Sequence, residues 1–215
     1  MIPGVPEIVK CPSCKACQQR QTLRSGNALG ARYYTDGKRY ASMLPEYPIF
    51  VECPNCEVFF KITYSLCKRS KSGNYGGVEG IPFVSFLSIN KLCQAIDKGL
   101  YKDGKKYILS LRILLWRKFN DRVRNGGTSL FNGEDKSNDD EVLYKNNCHE
   151  ILFLIARSVD DENLLMRAEL YRNLGEFDQC KEILAQIKEP KQFEGYIYAI
   201  NKACDNKSTL TYQCT

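Results

Sequence analysis

The chain has 215 residues, of which 43% are hydrophobic and 26% charged, and a net charge of +6. This is enough apolar material for one large domain or two small ones, and it excludes an intrinsically disordered chain. Residues 1–70 hold ten Lys/Arg against five Asp/Glu, a mildly basic balance that is no nucleic-acid signature by itself.

The opening Met1-Ile2-Pro3-Gly4-Val5-Pro6 is interrupted by prolines and lacks the apolar core of a secretory signal. The apolar run Ile113-Leu114-Leu115-Trp116 falls far short of a membrane span. The expectation is a cytoplasmic protein with no membrane partner. In a reducing compartment its eleven cysteines serve as metal ligands or small buried hydrophobes, and an odd number does not suit a closed disulfide framework.

In chain order, residues 1–66 read as short strands and turns. Cys11-Pro12-Ser13-Cys14 is a tight turn. Asp36-Gly37 between Tyr-rich arms predicts a hairpin over 31–40, because glycine accepts the positive φ of the turn. Residues 48–51 and 58–62 predict two antiparallel strands joined by Cys53-Pro54-Asn55-Cys56. Residues 67–85, with the basic, Gly-rich run from Lys68 to Gly77, read as a linker.

From residue 86 the apolar period becomes helical. Ser88 caps a helix carrying Leu92, Cys93, Ile96 and Leu100. A second helix covers 105–124, with Ile108, Leu111, Leu115, Phe119 and Val123 inward, and a polar loop follows over 128–140. A third covers 141–158, with Leu143, Ile151, Leu154 and Ile155 inward. Residues 160–187 predict a helical hairpin, capped by Asp160 or Asp161 and turned at Gly175. A last helix runs over about 191–204, and residues 205–215 form a flexible tail. The predicted fold class is α+β, with a small β module over 1–66 followed by an α-helical domain over 86–204.

The two Cys-Pro-x-Cys turns carry the clearest chemistry. A Cys-x₂-Cys turn places two sulfurs about 2.3 Å from one metal, and two such turns complete a tetrahedron. Cys11, Cys14, Cys53 and Cys56 are therefore the expected ligands of a structural Zn²⁺, making residues 1–66 a zinc-ribbon module. The 38 residues between Cys14 and Cys53 exceed the usual ribbon spacing of roughly fifteen to twenty, and the excess holds the Asp36-Gly37 hairpin. Cys17 extends the first turn to Cys-x₂-Cys-x₂-Cys, a spacing that iron–sulfur proteins also use, but position 21 is Gln where the ferredoxin run has its fourth cysteine. Four Cys ligands leave no position for a reactive water, so such a metal is a folding element.

Other features have ordinary readings beside functional ones. His149, the one histidine, follows Cys148 on a helix, where adjacent side chains diverge. Arg112, Trp116, Arg117 and Arg124 in the second helix are candidate contacts for nucleic acid or a partner, with Trp116 stacking on a base; the same pattern describes the solvated face of an amphipathic helix.

Residues Ala168, Tyr171, Leu174, Gly175, Phe177 and Cys180 of the 164–187 segment resemble one tetratricopeptide repeat, with Pro190 slightly early for the terminal proline. That resemblance implies helical-hairpin packing and a groove for a peptide or protein. Over the whole chain, the two cysteine turns, Gly26-Asn27-Ala28-Leu29-Gly30-Ala31, Asp36-Gly37-Lys38, Met43-Leu44-Pro45, Trp116 and Asn120-Asp121-Arg122 resemble a group of uncharacterised bacterial proteins. These join an N-terminal zinc ribbon to a tetratricopeptide-like helical region. Ribbons often have glycine after the second cysteine pair; Glu57 stands there in this chain. The functional expectation is a non-enzymatic, zinc-stabilised adaptor or scaffold for a protein partner. The alternative is a nucleic-acid-binding zinc-ribbon protein.

Overall fold

A computed structural model of the protein describes residues 1–69, 77–132 and 136–214. Parts of the expected linker and of the polar loop over 128–140 lie outside these residues. The strands are β1 (Ile2–Pro3), β2 (Glu7–Lys10), β3 (Cys17–Arg20), β4 (Leu23–Ser25), β5 (Arg32–Tyr34), β6 (Arg39–Tyr40), β7 (Phe50–Glu52), β8 (Phe59–Lys61), β9 (Cys67–Arg69) and β10 (Gln213–Cys214). The helices are α1 (Ile89–Lys98), α2 (Ile108–Arg124), α3 (Asp140–Ile155), α4 (Asp161–Leu174), α5 (Phe177–Leu184) and α6 (Glu194–Asp205). The fold is thus mixed α+β, with small antiparallel sheets built mostly from N-terminal strands, followed by six helices and the C-terminal β10 among the described residues.

The helix boundaries follow local chemistry. Ser88 accepts a hydrogen bond from the Lys91 N–H and starts α1. Asp160 does the same for the Asn163 N–H at the start of α4. Gly175, at φ 85°, ends α4 in the left-handed conformation that lacks a steric penalty only for glycine.

The chain forms two compact units whose boundaries differ from the expected ones. The first is Met1–Ala31 with Ala41–Leu111; the second is Arg32–Tyr40 with Arg112–Thr215. In the first unit β2 lies between β3 and β9, and β7 pairs with β8. Val9, Val51, Phe60 and Ile62 form its core around Cys11 and Cys53. The segment expected to be a linker contributes a strand here, since Cys67 pairs with Val9 across the β2–β9 ladder.

The second unit contains the Asp-Gly hairpin, which the sequence assigned to the ribbon module. Gly37 takes φ 71° at its turn, and β10 adds a third strand beside β5. The C-terminal segment is accordingly not a flexible tail. Thr211 is buried, and the Arg172 guanidinium and Asn173 amide donate to the carbonyls of Ser208 and Thr209. Residues α4 and α5 pack as an antiparallel helical pair, with Leu164, Leu165, Ala168, Cys180, Ile183 and Leu184 in one core with Ile200 of α6. In α3 the buried stripe is Tyr144, Cys148, Ile151 and Ile155. Leu154, expected inward, is 40% exposed, because it lies on the flank of this i, i+4, i+7 stripe.

Candidate metal centre

The two cysteine turns have the same backbone geometry. In the first, the Lys15 N–H donates to the Cys11 carbonyl and the Cys11 N–H to that of Ala16. In the second, the Glu57 N–H donates to the Cys53 carbonyl and the Cys53 N–H to that of Val58. Each turn closes on a left-handed residue, Lys15 at φ 66° and Glu57 at φ 55°. This curl points backbone N–H groups at sulfur: those of Ser13 and Cys14 at Cys11 Sγ, and those of Asn55 and Cys56 at Cys53 Sγ. Such donors stabilise thiolates in the way a metal requires.

All four sulfurs lie within 4.8 Å of one another. Across the two turns, Cys11 and Cys56 Sγ are 3.7 Å apart, and Cys14 and Cys53 Sγ 3.5 Å. A tetrahedron with bonds of about 2.3 Å has edges of about 3.8 Å, so the cluster matches a four-thiolate shell with little movement. A disulfide would require about 2.05 Å. The four cysteines could hold one metal ion, with a geometry compatible with structural zinc. Cys17 is not one of this cluster; its thiol points toward the Lys15 carbonyl at 3.9 Å.

The thiols differ in their readiness to ionise. Hydrogen bonds from the Asn55 side chain and the Ala16 N–H hold Cys14 down at about 6. Burial pushes Cys53 up to about 12 and raises Cys11 as well. Near neutral pH the metal-free site therefore holds Cys14 as thiolate and Cys11 and Cys53 as thiols. Binding must release the protons of at least these two, so affinity should rise with pH by at least about two decades per unit between pH 7 and 8. Competition with a chromophoric chelator at several pH values measures this, and a slope below one decade would contradict it.

Glu57 is exposed, and its left-handed backbone costs an L-residue about 1 kcal/mol. Glu57→Gly should therefore leave metal content unchanged and stabilise the first unit by up to about 1 kcal/mol. Chemical denaturation of the metal-loaded protein checks this; a loss of stability would show that the glutamate side chain holds the turn.

The other predicted site residues do not form an open contact surface. Trp116 is fully buried, and its Nε1–H donates to Asn173 Oδ1 at 2.8 Å. Arg117 donates to the Asp36 carbonyl at 3.2 Å. Arg124 pairs with Asp36 at 2.7 Å and with Asp121 at 2.9 Å. Arg112 meets Asn147 and Glu150. The candidate nucleic-acid face of α2 is thus corrected to an internal polar network of the second unit, since helical periodicity does not reveal which basic side chains have buried carboxylates nearby. Conversely, sequence reading missed Asn55, whose only signal was a side chain able to donate from inside one cysteine turn to the other.

No protein-family model matches the chain, and no curated protein or solved structure was found to match it.

Proposed function

We propose that the protein is a zinc-stabilised, cytoplasmic adaptor without catalytic activity, its first unit folded around a Cys11, Cys14, Cys53, Cys56 zinc site. A complete thiolate shell supports a folding role for the metal. No described helix is long and apolar enough to cross a membrane, in keeping with a partner in solution. The observation that carries the adaptor reading is a shallow, open depression at the start of α6, lined by Pro190, Lys191, Glu194, Gly195, Ile197 and Tyr198. Tyr198 is 59% exposed, and an exposed aromatic is a common anchor for a peptide segment. The tetratricopeptide-like reading of α4 and α5 agrees with this use. The test is affinity capture with the wild type and with Tyr198→Asp in parallel. A partner recovered by the first and lost by the second supports the reading; the same set of proteins with both, or none, defeats it.

A second reading, nucleic-acid binding, is favoured by the division of charge. The first unit holds thirteen Lys/Arg against seven Asp/Glu, whereas the second holds eighteen of each. A four-thiolate zinc site lowers the first balance from +6 to +4 and leaves all of the protein's net positive charge on the ribbon unit.

A further inference from the structure

Five lysines of the first unit, Lys61, Lys98, Lys102, Lys105 and Lys106, form no ion pair with a carboxylate among the described residues. The fold gathers them. The Tyr101 N–H donates to the Phe59 carbonyl at 2.8 Å, laying the turn after α1 along β8. The Tyr107 ring stands 5.8 Å from that of Phe50 on β7. Lysine amines lie over the rings: Lys61 4.1 Å and Lys106 5.2 Å from the Tyr107 centroid, Lys102 5.4 Å from that of Tyr101, and Lys98 5.9 Å from that of Phe59. All but Lys61 are exposed at the surface, and both tyrosines are half-buried. Asp97 and Asp103 adjoin Lys98 and Lys102 in sequence, so the five lysines outnumber the acidic residues beside them.

We propose that this lysine–tyrosine surface binds single-stranded nucleic acid. The inference rests on the second reading above and gives it a location. Ammonium groups without carboxylate partners are free to replace the counterions of phosphates. When these amines turn to phosphates, they uncover the exposed parts of the Tyr101 and Tyr107 rings for unstacked bases, which a duplex does not present. Glutamate- or aspartate-rich protein would satisfy the charges and leave the rings unused. The surface also depends on the metal centre: β7 and β8 flank the second cysteine turn, and Tyr101 packs on the core that contains Cys11 and Cys53.

The test is fluorescence anisotropy of metal-loaded protein with labelled oligothymidine, a duplex of equal length and a polyglutamate peptide, over a range of salt. With all five lysines on phosphates, log affinity should fall with log salt at a slope of about −3.5. The exposed triple change Lys102→Gln, Lys105→Gln, Lys106→Gln should weaken binding about tenfold or more and reduce the slope to about −1.4. Metal content and the unfolding midpoint serve as controls for folding. Unchanged affinity and slope in the variant would overturn the site while leaving nucleic-acid binding intact. Absence of salt-dependent binding by the wild type would overturn both. Equal or tighter binding of duplex or of polyglutamate would overturn the assigned ligand class.

Discussion

Replacing Cys53 by Ser should reduce bound metal from one ion per chain to less than about one tenth and abolish cooperative unfolding of the first unit. Cys53 is fully buried, and its sulfur lies 3.5 Å from that of Cys14 in the other turn. A serine hydroxyl is a poorer zinc ligand than a thiolate, and the change leaves three sulfurs at the site. Val9, Val51, Phe60 and Ile62 are the buried hydrophobics that pack with Cys11 and Cys53, and this cluster holds the short strands around the turns; the other buried side chains of the unit, among them Ile89, Leu92 and Leu100, belong to α1 and its ends and do not tie the two turns together. Structural zinc contributes roughly 10–16 kcal/mol in small metal-dependent domains, which exceeds the stability of such a unit. Hydrogen exchange should show lost protection over β2, β3, β7 and β8. The hairpin over 32–40 should keep its protection, because its hydrogen-bond partners belong to the second unit. Cys17→Ser should retain full metal. Full stoichiometry in Cys53→Ser would show that the ligand set is wrong.

The second large effect concerns Asp36. Its carboxylate is fully buried at the turn of the hairpin, where it accepts from Asn120 Nδ2 at 2.9 Å, from Arg124 at 2.7 Å and from the Lys38 N–H at 3.1 Å. Burial works against the charge on Arg124, and Asp36 and Asp121 more than offset it, so the guanidinium is held above its ordinary pKa. Asp36→Ala should cost about 3–5 kcal/mol, most of it from leaving Arg124 buried with Asp121 as its remaining carboxylate partner. Asp121, whose side chain is 24% exposed, also pairs with Lys38 at 2.7 Å. Its replacement by Ala should cost about 1 kcal/mol, since water screens and replaces the lost contacts. Denaturation midpoints of the two variants provide the comparison. Equal costs would mean that the burial of Asp36 does not set its contribution.

The same pattern recurs deeper in the second unit. Glu169 and Arg172 are fully buried and pair with each other one turn apart on α4. Thr35 donates to Glu169 at 2.6 Å, and Arg172 donates to the Ser208 carbonyl. The hairpin and the C-terminal segment are therefore joined to the helices through buried charges on one face of α4. These charges satisfy one another.

What the sequence determined by itself is local. Two Cys-Pro-x-Cys turns specify the sulfur cluster because the chemistry of each half-site is contained within four residues. Ser88, Asp160 and Gly175 mark helix ends for the same reason, since a cap acts on backbone groups one turn away. The Asp36-Gly37 turn was legible as a hairpin. Its membership in the second unit was decided by the tertiary structure, because Asn120, Arg124 and Glu169, which receive it, lie more than eighty residues further on. Likewise, Trp116 and the arginines of α2 look solvated to a helical-wheel reading, and only the packed fold shows the carboxylates and amides that take them inside. Even at the metal centre, sequence spacing named the ligands, whereas the approach of the two turns, which sets the sulfur tetrahedron, required the chain between Cys14 and Cys53 to return and close.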